Sequence, residues 1–183
     1  MASKPNQYGH CLDLNRRRAA LREISALGAT FFIAPFAAFA ADMLVASNEE
    51  EKVGAATQVE EVRQFLTAYN EAFETLDAAK IAVFYHVPII TVRGDGSIHC
   101  FQSLGEIEKF FGGVAAKYSA DGYHSGTFYD LEVVPIGSRS VLATLTWEQW
   151  RSDKSTLRKW RHSYNLVKIQ GDWRILASTF HLT

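Results

Sequence analysis

The chain has 183 residues, 48% of them apolar and 21% charged, with a formal net charge of −1. That composition fits one globular domain with a real core, and the charge balance argues against a basic nucleic-acid-binding surface. The two cysteines, Cys11 and Cys100, have no paired spacing that suggests a disulfide framework or a zinc site.

Residues 1–22 are polar and basic, with Arg16, Arg17, Arg18 and Arg22, and Ile24 to Ala40 is then almost wholly apolar and uncharged. The stretch ends on Ala38-Phe39-Ala40, a small-residue cleavage pattern, so 1–40 reads as a secretory signal peptide. Arg17-Arg18-Ala19-Ala20-Leu21-Arg22 resembles the twin-arginine signal, with Ala20 where a phenylalanine is usual. An uncleaved anchor is the alternative, but the apolar run is short for a membrane span and contains Pro35. Cleavage would leave 14 basic and 18 acidic residues and only Cys100. The expected location is periplasmic or secreted, with no stable membrane association after cleavage.

Residues 41–56 read as a linker carrying the acidic run Glu49-Glu50-Glu51, and 57–183 as the domain. Thr57-Gln58-Val59-Glu60 is a capping box, followed by a helical stripe of Val59, Val62, Leu66, Tyr69, Phe73 and Leu76. Asp77 is placed to cap a short second helix, Ala78 to Tyr85, that ends before Pro88. Val87 to Phe101 reads as a hairpin turning at Gly94-Asp95-Gly96. Ser103-Leu104-Gly105-Glu106 opens a third helix with Ile107, Phe110, Phe111, Val114 and Tyr118 inward, and Asp121-Gly122 closes it.

Four strands follow, near Ser125–Pro135, Arg139–Arg151, Thr156–Ile169 and Trp173–His181. A tight turn at Asp153-Lys154 puts Trp147 opposite Trp160, Leu145 opposite His162, Ala143 opposite Tyr164 and Val141 opposite Leu166. The other face then pairs Glu148 with Lys159, Thr146 with Arg161 and Thr144 with Ser163. In the next hairpin Trp173, Ile175, Ala177, Thr179 and His181 share the face of His162 and Tyr164. Upstream, Tyr129, Leu131 and Val133 are expected inward and Asp130 and Glu132 outward. The reverse would put Asp130 beside His162. The fold class is therefore α+β, three N-terminal helices packed on one face of a curved antiparallel sheet.

The element order, ending in Gly171-Asp172-Trp173-Arg174-Ile175, resembles the nuclear transport factor 2-like superfamily and its SnoaL-like domains over about Thr57 to His181. The resemblance implies a cone-shaped half-barrel (a cystatin-like α+β roll), a pocket between helices and sheet, and a homodimer through the sheet's outer face. Family relatives include polyketide cyclases, ketosteroid isomerases and scytalone dehydratases. Their catalytic residues carry over poorly. The isomerases' first-helix tyrosine corresponds to Phe65, and their strand aspartate has no counterpart in Ile89 to Val92.

The candidate site combines His162, Tyr164 and His181 as acid/base and hydrogen-bonding groups with Trp147, Trp160, Thr179 and Tyr69 as binding residues. Such a set suits a cofactor-free isomerase, dehydratase or cyclase acting on a small apolar molecule. It also suits a non-catalytic ligand-binding or interaction module, with these residues as core packing. No cofactor is expected. No metal is expected either, because two histidines on adjacent strands still lack a third ligand. Arg151, Arg158, Lys159 and Arg161 beside tryptophans form a basic-aromatic patch, but Glu148 and the export signal argue against nucleic acid. A carboxylate near His162 would favour catalysis, and an open pocket without one would favour binding.

Overall fold

A computed structural model of the chain describes residues 37–181, with side chains from Gly54 onward. Most of the signal-peptide segment lies outside the described residues. None of the described helices is long and apolar enough to cross a membrane. Contacts divide the chain into Met1–Ala46 and Ser47–Thr183, and the second unit holds the whole sheet and the core beneath its helices.

Helix α1 spans Ala37–Glu74, α2 Ala78–Ala82 and α3 Leu104–Ala120, with strands β1 Tyr85–Val92 and β2 Ile98–Phe101 between the last two. Strands β3 Ser125–Pro135, β4 Ser140–Trp150, β5 Thr156–Ile169 and β6 Asp172–Phe180 complete a six-stranded sheet ordered β2-β1-β6-β5-β4-β3. The α+β class holds, with one amendment. All pairs are antiparallel except β1 with β6, so the sheet is mixed.

The helices begin and end largely where side-chain chemistry dictates. The Asp77 carboxylate accepts the Ala79 and Lys80 amides at the start of α2. Ser103 Oγ accepts the Glu106 amide at the start of α3, while Glu106 reaches back to the Gln102 amide at 2.8 Å. Thr57 is the exception. It lies inside α1, and the segment read as a linker, 41–56, is helical. Glu49 to Lys52 and Ala55-Ala56 are strong helix formers, so local propensity continues the helix through the box. Helix α2 is also shorter than expected, because Tyr85 already belongs to β1.

Val62, Leu66 and Tyr69 of α1, Ile107 and Phe111 of α3, and Val141, Ala143, Leu145 and Leu166 of the sheet form a buried core. Glu61 ties α1 to the sheet, accepting from Lys168 Nζ at 2.7 Å and Trp173 Nε1 at 3.0 Å. Lys168 holds its carboxyl below the usual carboxylate range. At Gly126 an added Cβ would come within 3.2 Å of Asn70 Oδ1, so the absence of a side chain permits the close approach of β3 to α1.

The β4–β5 register is the one the turn demands, with Trp147 opposite Trp160, Leu145 opposite His162 and Ala143 opposite Tyr164. Two bulges alter the flanking hairpins. Between β5 and β6 the pairing passes from Leu166–Ile175 to Asn165–Ala177, so Leu176 is an extra residue. Trp173 and Ile175 still face the core, but beyond the bulge it is Ser178 and Phe180 that oppose Tyr164 and His162. Thr179 and His181 are thereby turned to the outer face, against expectation. There His181 Nε2 lies 2.8 Å from Ser163 Oγ, which also bonds Thr144.

The second bulge lies in β3, between Tyr129 and Glu132, where Asp130 takes φ 51°. It keeps Leu131 and Val133 against the core but turns Tyr129 outward, over Lys159 Nζ, and brings Phe128 inward against Trp147. Asp130 and Glu132 are exposed as expected, and Glu132 pairs with Arg161 on the outer face.

Candidate ligand-binding site

Period-2 alternation on the inner sheet face and the helical stripes above it enclose a cavity of about 310 Å³. Its walls are chiefly aromatic. Phe73 of α1, Phe110 and Phe111 of α3, Phe101 of β2, and Trp147, Trp160 and Phe180 of the sheet all line it. Of the residues singled out from sequence, Tyr69, Trp147, Trp160, His162 and Tyr164 come together here, while Thr179 and His181 do not. Phe65 packs edge-on against Phe84 and is not part of the lining.

His162 sits near the centre of β5, 3% exposed, with its ring stacked on Tyr164 at 4.3 Å and edge-on to Phe180. Its Nδ1 accepts the indole N–H of Trp160 at 3.2 Å. Indole nitrogen can only donate, so Nδ1 carries the lone pair and the proton of the neutral ring sits on Nε2. Burial, with a smaller contribution from His181, pushes the imidazole down to about 3, so it is uncharged at neutral pH. Nε2 has no partner among the described residues. It is a buried donor on a residue that lines an apolar cavity.

Gln149 supplies the complement. It lies two residues along β4 from Trp147, on the same face, 5% exposed, and its Oε1 is an acceptor without a partner among the described residues. Other buried polar groups are satisfied locally. Trp147 Nε1 donates to Tyr164 Oη at 2.9 Å, and the Tyr69 and Tyr85 hydroxyls meet at 2.6 Å. Tyr69 also lies edge-on to Tyr164, with ring centres 6.3 Å apart, so the two pairs adjoin. Burial pushes all three hydroxyls well above the ordinary tyrosine range, so they stay protonated. Ser178 Oγ donates to Thr91 Oγ1 at 2.9 Å at the seam between β6 and β1.

Among the described residues no acidic side chain lines the cavity, and Asp130 is outside it. The described residues hold no cluster of three metal-ligating side chains. The walls therefore offer hydrogen-bond donors, the amide acceptors of Gln149 and Asn70, and aromatic surface. Sequence reasoning missed Gln149, Ser178, Phe180, Thr91, Arg93 and Lys117 as lining residues, and placed Arg158 only in a basic-aromatic patch. Gln149 and Arg158 were within reach, since the turn that pairs Trp147 with Trp160 also pairs these two. Ser178 and Phe180 were hidden by the Leu176 bulge.

Residues 60–183 match the family described as NTF2-like protein (DUF6841). No curated protein matches the chain. Among solved structures, Aln2 from a Streptomyces species superposes with TM-score 0.57 at 16% identity, covering 67% of this chain and 88% of its own. An NTF2-like protein with a cystatin-like fold from Novosphingobium aromaticivorans gives 0.56 at 14% identity, with coverage of 82% and 92%. A protein of the same organism described provisionally as a scytalone dehydratase gives 0.53 at 7% identity, with coverage of 72% and 88%. At these identities the likeness is one of fold.

Proposed function

The chain belongs to the DUF6841 family of NTF2-like proteins, and from that premise we propose that it is a SnoaL-like binding domain for a small, flat, largely apolar molecule. The observation that carries this reading is a pair of buried polar atoms of opposite character, His162 Nε2 and Gln149 Oε1, which have no partner among the described residues and belong to two residues lining one aromatic cavity. Leaving such a group unpaired costs about 1–3 kcal/mol, and a ligand offering an acceptor to His162 and a donor to Gln149 recovers that cost. Trp147, Trp160 and the surrounding phenylalanines supply the apolar contact.

The test is a titration with 2-acetylnaphthalene, a neutral two-ring ketone, followed by tryptophan fluorescence. Saturable binding is expected, weakened about tenfold in H162F, since one hydrogen bond to a buried donor is worth about 1–1.5 kcal/mol. The Q149M variant removes the unpaired acceptor and is expected to raise the stability of the free protein by about 1 kcal/mol. Failure of two-ring ketones and alcohols to bind the folded protein overturns the proposal.

A catalytic version of the same reading makes the chain a cofactor-free isomerase, dehydratase or cyclase. The neutral His162 ring supports it in a restricted form. With its proton on Nε2 the ring polarises a carbonyl as a hydrogen-bond donor, and it accepts a proton at that atom only if the tautomer changes. Deuterium exchange into the ketone's acetyl methyl group in D2O, faster with wild type than with H162F, would establish turnover. Export and a homodimer through the outer sheet face belong to this proposal too. The dimer draws support from the exposed apolar pair Val134 and Leu142, which lie opposite one another in β3 and β4.

A further inference from the structure

The charged side chains along the cavity wall are of one sign. Arg93 after β1, Lys117 on α3 and Arg158 on β5 all line it, and among the described residues no carboxylate does. All three are exposed, whereas His162, Gln149 and Tyr164 are buried, so the cations mark the mouth and the uncharged polar groups the interior. Two of the cations are held by aromatic faces. Arg93 lies 5.7 Å from the Phe110 ring centre and Arg158 lies 5.2 Å from that of Tyr118. Asp121 partly offsets the charge, at 2.9 Å from Lys117 and 3.6 Å from Arg158. Arg93 makes no ion pair among the described residues, and the carboxylate of the turn residue Asp95 accepts from Ser97 N and Oγ.

We propose that the ligand is an aromatic acid, with its ring system in the aromatic cavity and its carboxylate at the mouth between Arg93, Lys117 and Arg158. The inference rests on the binding role of the cavity and adds the ligand's charge. Asp121 offsets one of the three cations, through Lys117 and Arg158, so a net positive charge is left for an anion, and guanidinium groups pair with carboxylates in a planar, two-bond geometry. The same cations would raise the encounter rate of an anionic ligand and repel a cationic one.

Matched probes test this directly: 2-naphthoate, its methyl ester and 2-acetylnaphthalene, titrated into the full chain at low salt and again in 1 M sodium chloride. The acid is expected to bind at least tenfold more tightly than the ester at low salt. That preference should shrink towards unity in 1 M salt, where screening acts within about 3 Å. R93Q should reduce the acid-to-ester ratio several-fold and R93K, which keeps the charge but not the two-bond geometry, should restore only part of it, with circular dichroism confirming that both variants fold. Equal binding of acid and ester, with the ketone bound, overturns the charge assignment and leaves the pocket reading standing. Absence of binding by all three probes overturns both. A preference for the acid that persists in R93Q and in high salt also overturns the assignment.

Discussion

At the scale of single residues, His162 explains most of what the site can do. Trp160 takes its Nδ1, burial keeps it neutral, and the remaining N–H has no partner among the described residues. The depressed value of about 3 has a consequence for stability. An unfolded chain titrates this histidine near 6.5, so below that pH the unfolded state binds a proton the folded state refuses. Stability contributed by the neutral ring is complete above about 6.5 and is lost as pH falls towards 3. Between pH 7 and pH 5 the loss from this residue is about 2 kcal/mol. Urea unfolding at both pH values should show that difference in wild type and a smaller one in H162F. An equal acid sensitivity in the two proteins would mean the ring is not held neutral.

At the scale of elements, alternation and turn chemistry decide the register until a bulge intervenes. The pairing of Trp147 with Trp160 and of Leu145 with His162 follows from one tight turn and the period of a strand, and the structure has it. The capping residues Asp77 and Ser103 are likewise legible, because a short oxygen-bearing side chain before a helix has one obvious job. A single unpaired residue within a strand leaves no such mark. Leu176 looks like any strand leucine, yet it sends Thr179 and His181 to the outer face and puts Ser178 and Phe180 in the cavity. Asp130 is the more readable case, since aspartate tolerates the left-handed backbone its φ of 51° requires. D130G should therefore leave stability within about 0.5 kcal/mol of wild type or raise it, while D130V should cost about 1–2 kcal/mol. Thermal unfolding of the two variants checks this. A D130V protein as stable as D130G would mean that β3 adopts another register.

At the scale of the whole molecule, the sheet separates two chemistries. Its inner face carries the aromatic cavity, and its outer face carries the Glu132–Arg161 pair, the Thr144–Ser163–His181 network and exposed Val134 and Leu142. If the outer face joins two copies, light scattering at micromolar concentration should give twice the chain mass, and V134E with L142E should give a monomer. A wild-type monomer would remove that part of the proposal. Export predicts a periplasmic product whose mass corresponds to a chain starting near Ala41, and an intact cytoplasmic protein would contradict it.

The proposed function turns on one atom, since His162 has to present a neutral Nε2–H to a ligand inside the cavity. Imidazole ¹⁵N NMR of histidine-labelled protein at pH 7, titrated with 2-acetylnaphthalene, measures this at the atom concerned. The expected spectrum is that of a neutral ring protonated on Nε2, whose Nε2 resonance shifts saturably with ligand. A charged ring, a proton on Nδ1, or a resonance that no concentration of ligand moves would contradict it.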